Sequence, residues 1–115
     1  MKVNDEIEQA FREGYEMGHG DKSRQAEMIK EIANHYGFTS QRKITLEELL
    51  ELGLAIMKLE RGWSEDRYHN LHEEVADVLI MALQMRYMLG TDKIDEIIND
   101  KLVRQLDRID HEEQG

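Results

Sequence analysis

The chain of 115 residues contains no cysteine and no proline, and it has only two phenylalanines and one tryptophan. Without cysteine, neither a disulfide framework nor a metal site with thiolate ligands is possible. Without proline, the glycines become the main candidates for helix ends. No apolar run approaches the ~20 residues that a membrane-spanning helix needs. These absences leave a small domain whose fold depends on its helices and their packing.

Positive charge is also scarce, because 15 lysines and arginines face 25 aspartates and glutamates, giving a net charge of −10. Binding a nucleic-acid backbone requires clustered lysine and arginine, so we expect no nucleic-acid partner. A polyanion remains possible as a substrate if a cation bridges it to the acids. The N-terminal segment MKVNDEIEQAF lacks the apolar centre of a signal peptide. We therefore expect a cytoplasmic protein with no membrane partner.

Helical periodicity dominates the sequence, and no β-branched run predicts a strand. The pattern predicts an all-α fold, divided into an N-terminal arm or helix at 1–20 and a helical domain at 21–115. The predicted helices lie near residues 4–17, 22–36, 41–61, 70–89 and 92–110. Between the third and fourth helices, RGWSEDRYHN is predicted to form a loop, and the terminal HEEQG is predicted to fray.

Glycines and short polar residues mark the expected helix ends. We expect Gly37 and Gly90 to end the second and fourth helices, since glycine is common just after a helix C-terminus. Thr39 or Ser40 is expected to cap the third helix, and Asp92 the fifth.

Three glutamates interrupt the otherwise apolar third helix in ITLEELLELGLAIMKLERG. Glu48 and Glu51 are three positions apart, and Glu47 and Glu51 are four apart, so all three share one helix face. Lys58 falls on the same side two turns onward. A helix that is apolar almost all round is typically buried. The acids are therefore not explained as an ordinary solvated face.

The fourth helix repeats this pattern in NLHEEVADVLIMALQMRYML. Glu73, Glu74 and Asp77 have the same spacing, and Asn70 and Gln84 extend the polar stripe. A short connection favours antiparallel packing, which would place the two acidic stripes face to face. Clustered carboxylates repel strongly in a partly dry site, and a divalent cation relieves that repulsion. Carboxylate oxygens suit Mg²⁺, or Mn²⁺, rather than zinc.

The fifth helix and the loop before the fourth supply further candidates. Lys101 lies within the apolar face of the fifth helix, and Arg104 and Arg108 border it. Cations beside a metal-filled acidic cleft suit a phosphate-bearing ligand. Lys101 could equally extend to water with only its stem buried, and the arginines could complement the helix C-terminus. Trp63 could stack on a base or cover the core.

The motif EExxE at residues 47–51, followed by EExxD at 73–77, resembles the MazG-like all-α nucleoside triphosphate pyrophosphohydrolases. The signature of that family is EExxE followed by ExxD on the next core helix. The later DKLVRQLDRI resembles the family's closing helix, with Lys101 at the position of its phosphate-binding lysine. The resemblance covers roughly residues 25–110.

This resemblance implies a MazG-like four-helix core, assembly through helix faces into a homodimer or homotetramer, and Mg²⁺ at the acids. It also implies cleavage of a nucleoside triphosphate between its α and β phosphates. The biological role that this reaction implies is the house-cleaning of nucleotide pools. Gln105 stands where some members carry an arginine, so phosphate contacts beyond Lys101 depend on Arg104. Gly53 within the first motif helix is a second departure, which could allow close helix approach.

The resulting hypothesis is metal-assisted hydrolysis, with roles assigned by residue. The expected metal ligands are Glu48, Glu51, Glu74 and Asp77. The expected catalytic residues are Glu47 or Glu73, as general base or as support for the ligands, and Lys101, which offsets phosphoryl charge. The expected substrate-binding residues are Lys101, Arg104, Trp63 and Lys58. The alternative is a non-catalytic acidic helical bundle that serves interaction or nucleotide sensing.

Overall fold

The computed structural model describes residues 22–114, and this part of the chain is helical apart from three short joints. Helix α1 covers residues 22–36, followed by α2 (Phe38–Arg61), α3 (Glu65–Leu89) and α4 (Thr91–Gln114). No strand occurs within these residues, so the predicted all-α class is confirmed for them. The predicted helix near 4–17 and the proposed arm at 1–20 lie outside the described residues.

Gly37 alone connects α1 to α2. Its φ of 85° lies in the left-handed region, which glycine adopts without steric cost. The Gly37 amide donates to the Ala33 carbonyl at 2.8 Å, and its carbonyl accepts from the Gln41 amide at 3.0 Å. The predicted cap at Thr39 or Ser40 is therefore wrong. Both residues lie inside the first turn of α2, because one left-handed glycine ends one helix and begins the next.

Three residues, Gly62 to Ser64, connect α2 to α3, so the predicted loop was too long. The Ser64 hydroxyl accepts from the Arg67 amide at 3.1 Å and caps α3 well before residue 70. The Arg67 guanidinium also donates from Nη1 to the carbonyls of Lys58 and Gly62, at 3.2 and 2.8 Å. These bonds satisfy carbonyls at the end of α2 that have no partner within the helix.

Gly90 connects α3 to α4, and its φ of 113° again requires glycine. Its amide donates to the Arg86 carbonyl at 3.1 Å, which confirms the predicted end of α3. Asp92 lies within the first turn of α4 rather than at its cap, because the Gly90 turn leads directly into the helix at Thr91. The predicted frayed tail is also wrong up to Gln114, since no helix breaker precedes the final glycine.

The helices pack unequally. Helices α2 and α3 lie side by side over much of their length, whereas α4 contacts α3 and makes no contact with α2. The Arg86 guanidinium holds the start of α4 by donating to both carboxylate oxygens of Asp95 at 2.6 Å. Tyr87 donates to the Asn34 side-chain oxygen at 3.1 Å, which fixes α1 beside the C-terminal half of α3.

The chain buries few apolar side chains by itself. Among residues 22–114, the fully buried apolar residues are Ala33, Ala55 and Met81. Leu46, Leu50 and many other large apolar residues remain more than a third exposed. The expectation that α2 and α3 are buried all round is thus not met within one chain. No helix in the described part is both long and apolar enough to cross a membrane.

Candidate metal centre

The surfaces that α2 and α3 present to each other carry both polar and apolar side chains. The buried and half-buried residues include Gln41, Glu48, Glu74 and Gln84 as well as Leu52, Ala55, Val78 and Met81. The helices keep one antiparallel register, with contacts at three levels: Gln41 with Gln84, Glu48 with Asp77, and Lys58 with Arg67. From one level to the next, the residue number rises along α2 by as much as it falls along α3. The two acidic stripes therefore face each other inside the chain, as the short connection predicted, and much of the apolar surface faces outward.

Three carboxylates meet between the helices. Glu48, Glu74 and Asp77 each offer one oxygen, and these oxygens all lie within 4.8 Å of one another. Glu48 and Glu74 are half-buried, and Asp77 is exposed. Oxygen ligands at 2.0–2.1 Å from Mg²⁺ can lie at most about 4.2 Å apart. The cluster is therefore within a small adjustment of the spacing that one cation requires.

Glu74 is the strongest indication that the cluster fits a cation. Its Oε2 atom is buried and has no hydrogen-bond partner. Burial raises the pKa of Glu74, and the charges of Asp77, Glu48, Glu51 and Glu73 raise it further. A buried, unpaired carboxylate oxygen is unfavourable unless a proton or a cation neutralises it. All the donors are carboxylate oxygens, which Mg²⁺ prefers.

The other predicted acids lie around this cluster. Glu51 and Glu73 are close enough for their charges to act on Glu74, although both side chains are exposed. His69 Nε2 lies 3.3 Å from Glu73 Oε1 in an exposed contact. Glu47 is exposed on α2 and is not among the three carboxylates that meet.

The predicted substrate-binding residues are more scattered. Lys58 lines a cavity of about 190 Å³ at the loop end of the α2–α3 interface, together with Arg67 and Asn70. Trp63 is 60% exposed and packs edge-on against Tyr68, with 5.3 Å between ring centroids. It does not cover the core of the described chain, and its ring is accessible for stacking.

Lys101 and Arg104 lie on exposed turns of α4. Helix α4 packs against α3 and not against α2, and none of the charges that act on Glu74 comes from α4. The divergence begins after the Gly90 turn, where the Arg86–Asp95 ion pair links the end of α3 to the first turns of α4.

Comparison of the chain with protein-family models, curated proteins and solved structures gives no match. The resemblance to the MazG-like family is therefore a hypothesis that depends on the paired motifs. Their facing arrangement in the fold is compatible with that hypothesis and does not test it.

Two residues at this interface were missed by sequence reasoning. Arg67 was assigned to a loop, but it lies in the first turn of α3 and brings a cation to the cavity beside Lys58. Gln41 was not singled out, although it precedes Glu48 by two helical turns. That spacing was the available signal, because residues seven apart lie on nearly the same helix face.

Proposed function

We propose that this protein is a Mg²⁺-dependent nucleoside triphosphate pyrophosphohydrolase, which produces a nucleoside monophosphate and pyrophosphate. The meeting of Glu48, Glu74 and Asp77, with a buried and unpartnered oxygen on Glu74, carries this proposal. The reaction itself comes from the resemblance of the paired motifs to the MazG-like family. This reaction requires the chain to hold a metal ion between two helices.

The residues that would hold the metal are Glu48, Glu74 and Asp77. Glu51, whose charge acts on Glu74, is the fourth predicted ligand. Bound Mg²⁺, or Mn²⁺, would neutralise triphosphate oxygens and lower the pKa of an attacking water. Glu73 and Glu47 flank the ligands at the two helices and are the candidate general bases. Both side chains are exposed.

Substrate binding requires groups beyond the metal ligands. Lys58 and Arg67 lie at the loop end of the acidic interface, where they could attract triphosphate oxygens. Trp63 is exposed in the same loop and could stack on a base. In this proposal Lys101 and Arg104 reach the cluster from a second copy, since none of the charges that act on Glu74 comes from α4 of its own chain. A homodimer or homotetramer is thus part of the proposal.

The decisive experiment measures pyrophosphate release from a panel of standard and modified nucleoside triphosphates, with Mg²⁺ and with EDTA. We expect Mg²⁺-dependent release from the natural sequence and a loss of at least about 100-fold in Glu74→Gln, since a removed metal ligand costs several kcal/mol. Glu60→Gln is the matched control, because Glu60 is an exposed glutamate of α2 outside the cluster. Equal activity in the two variants would reject the site.

The alternative of a non-catalytic binding module is favoured by one observation, the large exposed apolar surface of α2, α3 and α4. Ligand binding to the folded state raises the melting temperature whether or not turnover follows. Mg²⁺-dependent stabilisation by a nucleotide without pyrophosphate release would therefore assign a nucleotide-sensing role. Pyrophosphate release by the same sample would exclude that alternative as the sole function.

A further inference from the structure

Two glutamines form a buried hydrogen bond between α2 and α3. Gln41 Nε2 donates to Gln84 Oε1 at 2.8 Å, and the two residues are only 3% and 1% exposed. The Ser40 hydroxyl donates to Gln41 Oε1, the other side-chain oxygen of the pair, at 3.3 Å. Gln84 Nε2 lies 3.5 Å from the Met81 sulfur. Gln41 and Gln84 are the buried polar residues of the described chain, and each is satisfied.

The glutamine pair lies on the same interface as the acids. Gln41 precedes Glu48 by seven residues, and Gln84 follows Asp77 by seven. Seven residues of α-helix rise about 10 Å, so the pair lies two turns from the level at which Glu48 and Asp77 meet. Any slide of α2 along α3 at the glutamines therefore displaces the two carboxylates relative to each other by the same distance.

Apart from the short joint at residues 62–64, the rest of this interface is less directional than the glutamine pair. The acids repel one another, and the apolar residues between the helices, among them Leu52, Ala55 and Val78, make contacts without strong direction. Between the described residues of these helices, the other side-chain hydrogen bond runs from Arg67 to a backbone carbonyl beside the loop. A buried polar pair fixes register because a slide would leave both of its groups buried without partners.

We propose that Gln41 and Gln84 are positioning residues that set the level at which Glu48 meets Asp77 and so prepare the metal site. This inference rests on the proposed metal-binding function. The glutamines do not contact the carboxylates or the substrate. They act through the axial register of two helices.

The test replaces both glutamines together, as Gln41→Leu with Gln84→Leu. Exchanging both partners of a buried hydrogen bond for apolar groups of similar size leaves stability nearly unchanged. We expect the double variant to stay folded, with a Mn²⁺ dissociation constant raised by about 10-fold or more, the effect typical of lost support for metal ligands. An unchanged Mn²⁺ affinity, measured by calorimetry and by electron paramagnetic resonance, would overturn the proposal.

The matched control changes half-buried apolar residues on either side of Glu48, as Ile44→Leu with Leu52→Met. This pair lies closer to the acids than the glutamines, and the exchange conserves volume without altering a side-chain hydrogen bond between the helices. We expect its Mn²⁺ affinity to stay within about 2-fold of the natural protein, since such swaps are usually well tolerated. If the control lost as much Mn²⁺ affinity as the double glutamine-to-leucine variant, the site would be sensitive to packing in general. That result would contradict a specific role for the glutamines.

A second readout reports register without any metal. Because the chain has no cysteine, Lys43→Cys and His69→Cys provide unique sites for spin labels, both exposed and separated along the helix axes. Dilution with unlabelled chain isolates the distance within one subunit. When both glutamines are present, we expect the distances between the two spin labels to form one narrow distribution. In the double variant with Gln41→Leu and Gln84→Leu, we expect this distribution to be broader or shifted. A slide by one heptad changes the axial separation by about 10 Å.

The two readouts separate the possible failures. If the natural protein binds no Mn²⁺, the proposed function fails, while the spin-label distances still test the role of the glutamines. The other case is that the natural protein binds Mn²⁺ and the double glutamine-to-leucine variant keeps the same narrow distribution of spin-label distances. The positioning role is then wrong, and the metal site stands.

Discussion

Glu74 places a buried carboxylate oxygen among four other acids, and this arrangement lowers the stability of the metal-free protein. Its raised pKa reflects burial and the repulsion of neighbouring carboxylates. Removing the charge in Glu74→Gln should therefore raise the melting temperature in EDTA and abolish the further rise that Mg²⁺ produces in the natural protein. Thermal melts followed by circular dichroism, with Glu60→Gln as control, measure both effects. Retention of the Mg²⁺-dependent rise would contradict the assignment of Glu74 as a ligand.

Gly53 lies inside α2, where its flexibility has no evident use within one chain. A Cβ added at this position meets no atom within 4 Å, and its backbone is helical. Gly53→Ala should raise the free energy of unfolding by roughly 0.5–1 kcal/mol, because alanine loses less backbone entropy in a helix. Urea denaturation measures this difference. A decrease would instead show that another copy approaches the glycine closely, as the sequence interpretation allowed.

At the scale of elements, the helices were predictable and their joints were less so. Periodicity located the helices because each buries or exposes a face with a period of 3.6 residues. Gly37 and Gly90 were correctly placed at helix ends. The starts of α2 and α3 were misplaced, because Ser64 and Gly37 had weaker sequence signals than Thr39 or the polar segment before residue 70. Cap choice depends on local backbone geometry, which composition does not fix.

The attachment of α4 to α3 should depend on pH through the Arg86–Asp95 pair. Hydrogen bonds from Arg86 lower the pKa of Asp95 below its ordinary value of 3.8. The contribution of this pair is thus complete above that value and is lost as the pH falls through the folded pKa. Below about pH 4 we expect lower protection of the amides in the first turns of α4, measured as exchange relative to that of an unfolded chain at the same pH.

Asp95→Asn is the comparison for this prediction, because asparagine keeps the shape and removes the titration. The variant should show less protection of α4 amides at neutral pH and a smaller further loss of protection on acidification. Equal protection of α4 in both proteins at neutral pH would show that other contacts hold this helix.

At the scale of the whole molecule, the outward apolar faces predict assembly. Leu50 is 62% exposed on the face of α2 that also carries Leu46 and Leu54. Burying one leucine contributes about 1.5–3 kcal/mol. Leu50→Glu should therefore raise the dissociation constant of the oligomer by at least about 10-fold, measured by light scattering over a dilution series. Lys93→Glu, an exposed change on α4, is the control, and a monomeric natural protein at high concentration would contradict the prediction.

The sequence by itself determined the helical class, the approximate positions of the described helices and the pairing of two acidic stripes. Helical period and the three- and four-residue spacing of the acids are local properties, so they can be read without a structure. The tertiary structure decided which acids meet, because the register of α2 against α3 depends on contacts between residues distant in sequence. It selected Glu48, Glu74 and Asp77, left Glu47 outside the cluster, and revealed the buried glutamine pair on the same interface. It also turned α4 away from α2, because a single glycine turn and one ion pair set its direction.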